Sequence, residues 1–559
     1  MYYKSLYPDL PKVPESNAHH LLFNRPDQKE WPDYTLFINV ATGQQRSFRE
    51  FIERVRDGAT ALGADVAHGG LGLRPENGEL VGILSENCPD YVALMHSLLV
   101  ITVPFALFPS SMTQYEFKHA NSLAQATRIF ASPSLLPLAL SSGLPADRIH
   151  ILEGDNEGYT SYDQLVASAR NDKISRLPVR HATKDTLAYL IYSSGTNAVM
   201  TSHGNIISVA LATMRMVWNT PTGLRVTFNI LPVYHTLGLC TTTFINFLEP
   251  ATIVMLPKWN IDLFFDSISN SSTIHASKPA DMSSVQTLAS GAAYLPPQLA
   301  DQVSARFPGQ ERFTEGYGLS EFTMTAAMKP VPGLLNGRAK NKPGSIGILY
   351  PGVEARIVRP DGSLAGLNEP GEILVRGATV ALGYKGNDKA TRETFIDGWL
   401  RTGDQMRIDE DGVLFFEDRT KANCTIHPPL ILCCTYHSLQ DTLKISGMQV
   451  SPVEIENTLL EQPDKLIIDA SVAGVSGGRT SDERIPRAWI VLSPAGAALG
   501  EKEVVARLNG WVKERLSRYK WLRGGIGIVE MIPKSPTGKV LRRVLMEEYE
   551  REVKAKAKL

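Results

Sequence analysis

Several short stretches of this 559-residue chain carry residue types that could do chemistry together. Ser193, Ser194, Gly195, Thr196 and Asn197 set hydroxyls and a flexible glycine in a row, so that backbone N–H groups can turn inward around an anion such as a triphosphate. Pro536-Thr537-Gly538-Lys539 offers an ammonium on a short turn, able to stabilise charge that builds on phosphorus. His235 follows Tyr234 within LPVYHTLGL (Leu231 to Leu239), and Ser290-Gly291-Ala292-Ala293 is a run of small residues. EGYGLSE (Glu315 to Glu321) and WLRTGD (Trp399 to Asp404) each end in a carboxylate. Taken singly, each has an ordinary structural alternative: a Ser/Gly/Thr turn, a satisfied core histidine, an acidic glycine turn, a hairpin Gly–Asp, a solvated lysine in a basic tail. Their joint meaning depends on the elements that bring them together.

The chain is long enough, and at 43% hydrophobic apolar enough, to bury a large core and split into two or more domains. Lys plus Arg is 57 against 58 for Asp plus Glu, so no net field favours nucleic acid or an anionic membrane. Five cysteines at irregular spacing argue for a reducing compartment, and MYYKSLYPDLPKVPE has no apolar core of a secretory signal. Tyr91 to Phe108 is apolar, but His96 and Pro104 lie inside it, which predicts a buried helix running into a buried strand rather than a membrane span. Val81 to Leu99 reads as a β run, a turn and a helix, the texture of an α/β layer. From Gly352 to Asp418 short strands alternate with Gly and Asp turns, predicting a small β subdomain of hairpins over about 345–420. After Asp441 a compact α/β piece opens at Ser451-Pro452-Val453-Glu454, with an N-cap, a first-turn proline and a capping-box glutamate. Its later helix, Glu501 to Arg518, places Val504, Val505, Leu508, Trp511, Val512 and Leu516 on one face.

These motifs, in this order, resemble those of acyl-CoA ligases of the adenylate-forming superfamily, and the chain is similar to 4-coumarate:CoA ligase-like enzymes from about Phe48 to Arg543. The resemblance implies an α/β fold: a large N-terminal domain (1–421) of two α/β subdomains plus the small β subdomain, then a small mobile C-terminal lid domain (441–559). It also implies ATP, Mg2+ and CoA as cofactors and a small-molecule carboxylic acid as substrate. Ser193 to Asn197 would hold the phosphates, and Ser290, Gly291 and Ala292 would wall the adenine and acyl pocket. Glu315, Gly316, Tyr317, Gly318 and Ser320 would bind nucleotide, with Tyr317 stacked on adenine. Glu321 would hold Mg2+ with Thr196, an arrangement suited to a hard cation that keeps waters and substrate phosphates. His235 would line the acid pocket, Asp404 would accept both ribose hydroxyls, Arg419 would point to the nucleotide and Lys421 would be the hinge. Lys444, Gly447 and Gln449 match the segment that touches adenylate in one pose and frames the CoA tunnel in the other. Lys539 matches the lysine that bridges the acyl carboxylate and the α-phosphate as pyrophosphate leaves. The catalytic set implied is therefore Lys539, His235, Lys444 and Gln449. Ala557-Lys558-Leu559 resembles an S-K-L-type address, which implies a peroxisomal import receptor as partner; otherwise the enzyme is expected in the cytoplasm. Two other classes stay open: an adenylating enzyme that loads a separate carrier protein, and a non-catalytic homologue that binds nucleotide.

The chain departs from the family pattern at three places. A Gly-x-Pro-Lys block is absent after Asn197, and Thr273 to Ser284 is too short to hold the helix that supports the acyl pocket. Residues 422–440 split DRTK from DTLKISG, which are contiguous in the family, and the apolar PPLILCC run is odd for an exposed hinge. Nineteen codons match a short intron in length, so the insertion and both shortened stretches are expected to be gene-model artefacts; a zinc site on Cys424, His427, Cys433, Cys434 or His437 is the alternative, at spacings of no usual finger. Transcripts sequenced across codons 190–205, 270–285 and 418–445 should restore the Gly-x-Pro-Lys block and the pocket helix and lack the nineteen codons. Transcripts identical to the present chain would refute this.

Overall fold

The computed structural model describes residues 2–193, 197–216, 225–268, 285–291, 297–307, 312–419, 443–445, 448–476, 484–533, 540 and 542–556. Its contacts divide into two units, Met1–Ser110 with Asn121–Tyr192 and Ala198–Asp418, and Ser111–Ala120 with Ser193–Asn197 and Arg419–Leu559.

Three sheets build the first unit. The strands Phe105–Phe108, Val81–Leu84, Arg128–Ala131 and Ile149–Ile151 lie side by side and parallel, Leu187–Ser193 is parallel to Phe105–Phe108, and Asn197–Ser202 and Gly383–Tyr384 extend the same sheet. Such strands are covered on both faces, which is why VGIL and FALF are buried at every position. The helix Pro89–Val100 is buried throughout and leads to Phe105–Phe108, as the His96 and Pro104 interruptions predict. Among the described residues no helix is long and apolar enough to cross a membrane. A second sheet runs Arg225–Asn229, Ala251–Met255, Thr35–Asn39 and Gln45–Ser47. The hairpin strands Glu354–Val358, Gly371–Arg376, Trp399–Ile408 and Val413–Arg419 share one ten-stranded sheet with Tyr2–Lys4, Gly347–Leu349, Met324–Met328, Arg312–Leu319 and Thr287–Gly291. This sheet carries most of the acidic motifs.

A buried histidine group fastens the N-terminal segment to the first unit. Asn17 caps the helix Ala18–Phe23 and its amide donates to Leu99 O at 2.7 Å and Arg180 O at 2.9 Å. Ala18 N donates to His203 Nδ1 at 3.0 Å. His96 Nε2 lies 2.9 Å from Thr243 O, and a carbonyl only accepts, so neutral His96 carries its proton on Nε2. Its Nδ1 is then the acceptor for His19 Nδ1 at 3.2 Å. Burial pushes His96 and His203 down to about 4, and burial followed by His96 holds His19 well below its ordinary value.

In the second unit, the strands Ile467–Ser476 and Arg484–Leu492 pair antiparallel and Ile526–Ile528 joins Arg484–Leu492 in parallel. Ile445, Val450, Ile455, Leu459, Val472, Ile490, Val504 and Leu508 form its core. The helix Glu501–Arg515 ends short of the predicted Arg518; it buries Val504, Leu508 and Val512, while half-buried Trp511 donates its Nε1 to Thr458 O at 2.7 Å. The expected capping box does not form. Ser451 makes no side-chain cap bond, and Glu454 instead accepts from Lys520 Nζ at 2.7 Å, an ammonium that also donates to Glu116 Oε1 at 2.6 Å in the 111–120 segment of this unit. Burial alone would push Lys520 down, but Glu454 and Glu116 hold it up. A buried cation outcompetes a helix end for the same carboxylate because an unpaired buried charge costs several kcal/mol, against about 1 kcal/mol for a cap.

The histidine group sets a pH dependence. These imidazoles bind protons more weakly folded than unfolded, so the unfolded state takes up more protons between about pH 6.5 and 4 and stability falls as pH drops through that window. Each histidine contributes up to about 1.4 kcal/mol of loss per pH unit there. Urea midpoints should hold from pH 8 to 7 and fall from pH 6.5 to 5, with a shallower fall in His96→Gln; midpoints flat to pH 5 would contradict the assignment.

Candidate active site

The site is built on the strand pair Arg312–Leu319 and Met324–Met328 and the tight turn between them. Register shifts between Tyr317 and Gly318, and a Cβ on Gly318 would lie 1.7 Å from Met324 O, so the backbones approach too closely for any other residue. The turn Ser320–Phe322 ends at Thr323, wholly buried and left-handed at φ +60°, an uncommon state for a β-branched residue. Thr323 Oγ1 donates to Thr379 O at 2.7 Å and Thr323 O accepts from Cys240 Sγ at 3.1 Å. The turn is thereby clamped from two sides.

His235 holds the N-cap position of the helix Thr236–Thr243 without a side-chain cap bond, and the next residue, Thr236, shares a hydrogen bond of 2.8 Å with Ser320 Oγ. That contact places the histidine end of the helix beside the Ser320–Glu321 turn. His235 is half-buried, and loss of solvent pushes its imidazole down to about 4, so it is neutral near pH 7. Ser290 and Gly291 lie opposite Glu315 and Gly316 in parallel register, and a Cβ on Gly291 would stand 3.3 Å from both Gly316 O and Leu237 Cδ2. Leu239, at the end of the LPVYHTLGL stretch, is wholly buried in the core.

Each carboxylate has a different partner. Glu315 pairs with Lys329, which the sequence reading did not single out. Tyr317 donates its hydroxyl to Asp404 Oδ2 at 2.7 Å and is buried with it, so EGYGLSE and WLRTGD meet at one point. Asp404 N donates to Thr402 Oγ1 at 3.1 Å and Thr402 Oγ1 to Ile373 O at 2.7 Å, which fixes the strand under the carboxylate. Trp399 supports that strand between Arg356 and Arg376, each with its guanidinium 4.6 Å from the ring centroid. Glu321 is 4% exposed and accepts from Tyr384 OH at 2.9 Å.

The family of AMP-binding enzymes matches residues 25–274 and 262–385. The chain belongs to this family. It is 30% identical to the probable 4-coumarate–CoA ligase 1 of Dictyostelium discoideum, over 98% of this chain and 97% of that protein. It is 28% identical to the luciferin 4-monooxygenase of Luciola mingrelica over 91% of each. Among solved structures it resembles the o-succinylbenzoate CoA synthetase of Bacillus subtilis, with a TM-score of 0.71 at 20% identity over 94% of this chain and 97% of that one, a likeness of fold. The two family-matched segments overlap at residues 262–274, beside the shortened Thr273–Ser284 stretch. The alignment to the Dictyostelium protein runs over 586 positions, more than the 559 residues present, so that relative carries residues this AMP-binding enzyme lacks.

Of the predicted site residues of this AMP-binding enzyme, His235, Ser290, Gly291, Glu315, Gly316, Tyr317, Gly318, Ser320, Glu321 and Asp404 are brought together in the first unit. Ser193 ends the strand Leu187–Ser193 and Asn197 opens Asn197–Ser202. Arg419 ends Val413–Arg419, and Lys444 and Gln449 stand opposite each other in the hairpin of the second unit. Ser194, Gly195, Thr196, Ala292, Lys421, Gly447, Lys539 and Ala557-Lys558-Leu559 lie outside the described residues, as does the 422–440 stretch with its zinc alternative. Thr236, Lys329 and Tyr384 are new to the site; only the Gly383–Tyr384 pair carried a hint, as a glycine turn before an aromatic. Tyr317→Phe should cost about 1.5–3 kcal/mol in denaturant melts, because a carboxylate loses its buried donor, and should lower AMP-induced thermal stabilisation. Unchanged stability and AMP response would show that this bond does not hold the site together.

Proposed function

We propose that this AMP-binding enzyme is an ATP-dependent acid–thiol ligase that makes an acyl-AMP and then an acyl-CoA. The observation that carries the reading is the Tyr317–Asp404 hydrogen bond, which joins a ring suited to adenine with a carboxylate suited to ribose hydroxyls. In the first step an oxygen of the substrate carboxylate bonds to the α-phosphorus of ATP and the bond to pyrophosphate breaks. In the second the CoA thiolate attacks the acyl carbon and AMP leaves. Neutral His235 would line the acid's site without adding a competing charge. Lys539 would supply the ammonium for the first step, and Lys444 and Gln449 would serve the lid.

Magnesium fits Glu321: a buried carboxylate with one oxygen already held by the Tyr384 hydroxyl suits a hard ion that keeps waters and substrate phosphates. Bound there with ATP, it would neutralise phosphate charge as pyrophosphate departs. A peroxisomal setting rests on the S-K-L-type tripeptide alone.

A second reading, an impaired or non-catalytic homologue, is favoured by the absent Gly-x-Pro-Lys block, whose loss should cost on the order of 3 kcal/mol of electrostatic stabilisation. ATP–pyrophosphate exchange over a panel of fatty and aryl acids, followed by thioester detection with CoA, tests both. The chain with the block restored and 422–440 removed should exchange at least about a hundredfold faster than the chain as written, and Asp404→Ala should abolish exchange. Nucleotide-dependent stabilisation without exchange in either form would establish the non-catalytic reading, and transfer to a phosphopantetheine carrier in preference to CoA would replace the second step.

A further inference from the structure

Tyr384 belongs to none of the motifs that mark the site, yet it touches the carboxylate most concerned with the metal. Its side chain is buried, its ring meets Phe395 edge-on with centroids 5.5 Å apart, and its hydroxyl donates to Glu321 Oε1 at 2.9 Å. A phenol hydroxyl facing a carboxylate donates to it. Among the described residues the hydrogen bond to the Glu321 carboxylate falls on Oε1, and none falls on Oε2.

The backbone around Tyr384 binds two other parts of the site. Ala381 N donates to Glu321 O at 2.9 Å, Leu382 N to Met200 O at 2.8 Å and Lys385 N to Ala198 O at 2.9 Å. Tyr384 is also the antiparallel partner of Val199, in the strand Asn197–Ser202 that follows residues 194–196. Gly383 allows this path at φ +128°, where a Cβ would lie 2.7 Å from the Thr391 methyl. One strap of five residues, 381–385, thus fixes the backbone of Glu321, one oxygen of its carboxylate and the strand leaving the Ser/Gly/Thr stretch.

We propose that Tyr384 is a positioning residue for Glu321: its hydroxyl occupies Oε1, fixes the carboxylate rotamer and leaves Oε2 for the divalent cation that accompanies ATP. The proposal rests on the ligase reading. A neutral donor suits this task, because a cation in its place would compete with the metal for the same charge.

Tyr384→Phe removes only the O–H and keeps the ring on Phe395. Mn2+ serves as the probe, titrated by electron paramagnetic resonance against the full chain with the block restored, in the presence of α,β-methylene-ATP. Tyr384→Phe should bind Mn2+ about tenfold more weakly, with AMP-induced thermal stabilisation measured without metal unchanged. Glu321→Gln should lose at least as much, and the double substitution no more than Glu321→Gln alone. Equal Mn2+ affinity in the parent and Tyr384→Phe overturns the positioning role and leaves the ligase reading standing. A parent with no nucleotide-dependent Mn2+ site overturns both. Should Tyr384→Phe fail to fold, Glu321→Gln decides: unchanged Mn2+ binding there removes the carboxylate from the metal and the proposal with it.

Discussion

The site depends on one backbone constraint, the close passage of Gly318 under the carbonyl of Met324 where two antiparallel strands are joined by the turn Ser320–Phe322. A chain that folds back so tightly must place its last turn residue left-handed, and here that residue is a buried threonine. The strain of such a residue is of order 1–3 kcal/mol and persists only where its surroundings fix it. Thr379 O, Cys240 Sγ and the Thr236–Ser320 bond supply that fixation. The turn links three layers of contact: the helix that begins after His235, the strap around Tyr384 and the sheet that carries Asp404.

The acidic residues then differ in what they can do because their partners differ. Glu315 is neutralised by Lys329 and behaves as a structural ion pair between strands. Asp404 receives a phenol and sits on a strand fixed by Thr402. Glu321 keeps one oxygen free of partners among the described residues and is held through the other. Three carboxylates in adjoining elements could repel and shift one another; assigning a cation to one and neutral donors to the other two lets all be present at once.

Much of this was legible because it is local. EGYGLSE and WLRTGD carry their glycines and carboxylates within a few residues, and the buried strand-and-helix texture of Val81 to Leu99 reads directly from its apolar run. The partners were not legible. Tyr384 reaches Glu321 across 63 residues and Thr236 reaches Ser320 across 84, with no periodicity to join them. Glu454 shows the opposite failure, a correct local signature overruled by Lys520, a residue 66 positions away. The hairpins after Gly352 were visible as hairpins, but pattern alone could not say that they would share a sheet with the strands of 312–328.

The order in which these parts occur along the chain has a consequence for synthesis. His235, Glu321, Tyr384 and Asp404 appear in that order, and the strand Asn197–Ser202 precedes them all by chain position. While the polypeptide emerges from the ribosome, the 197–202 strand has no partner in Gly383–Tyr384 until almost two hundred further residues are made, and the Ser320–Phe322 turn has no strap until about sixty more have followed it. Contacts so distant form late. The proposed nucleotide cradle is therefore incomplete before residue 404 is translated, and until then the nascent chain holds only the contacts made within the residues already synthesised.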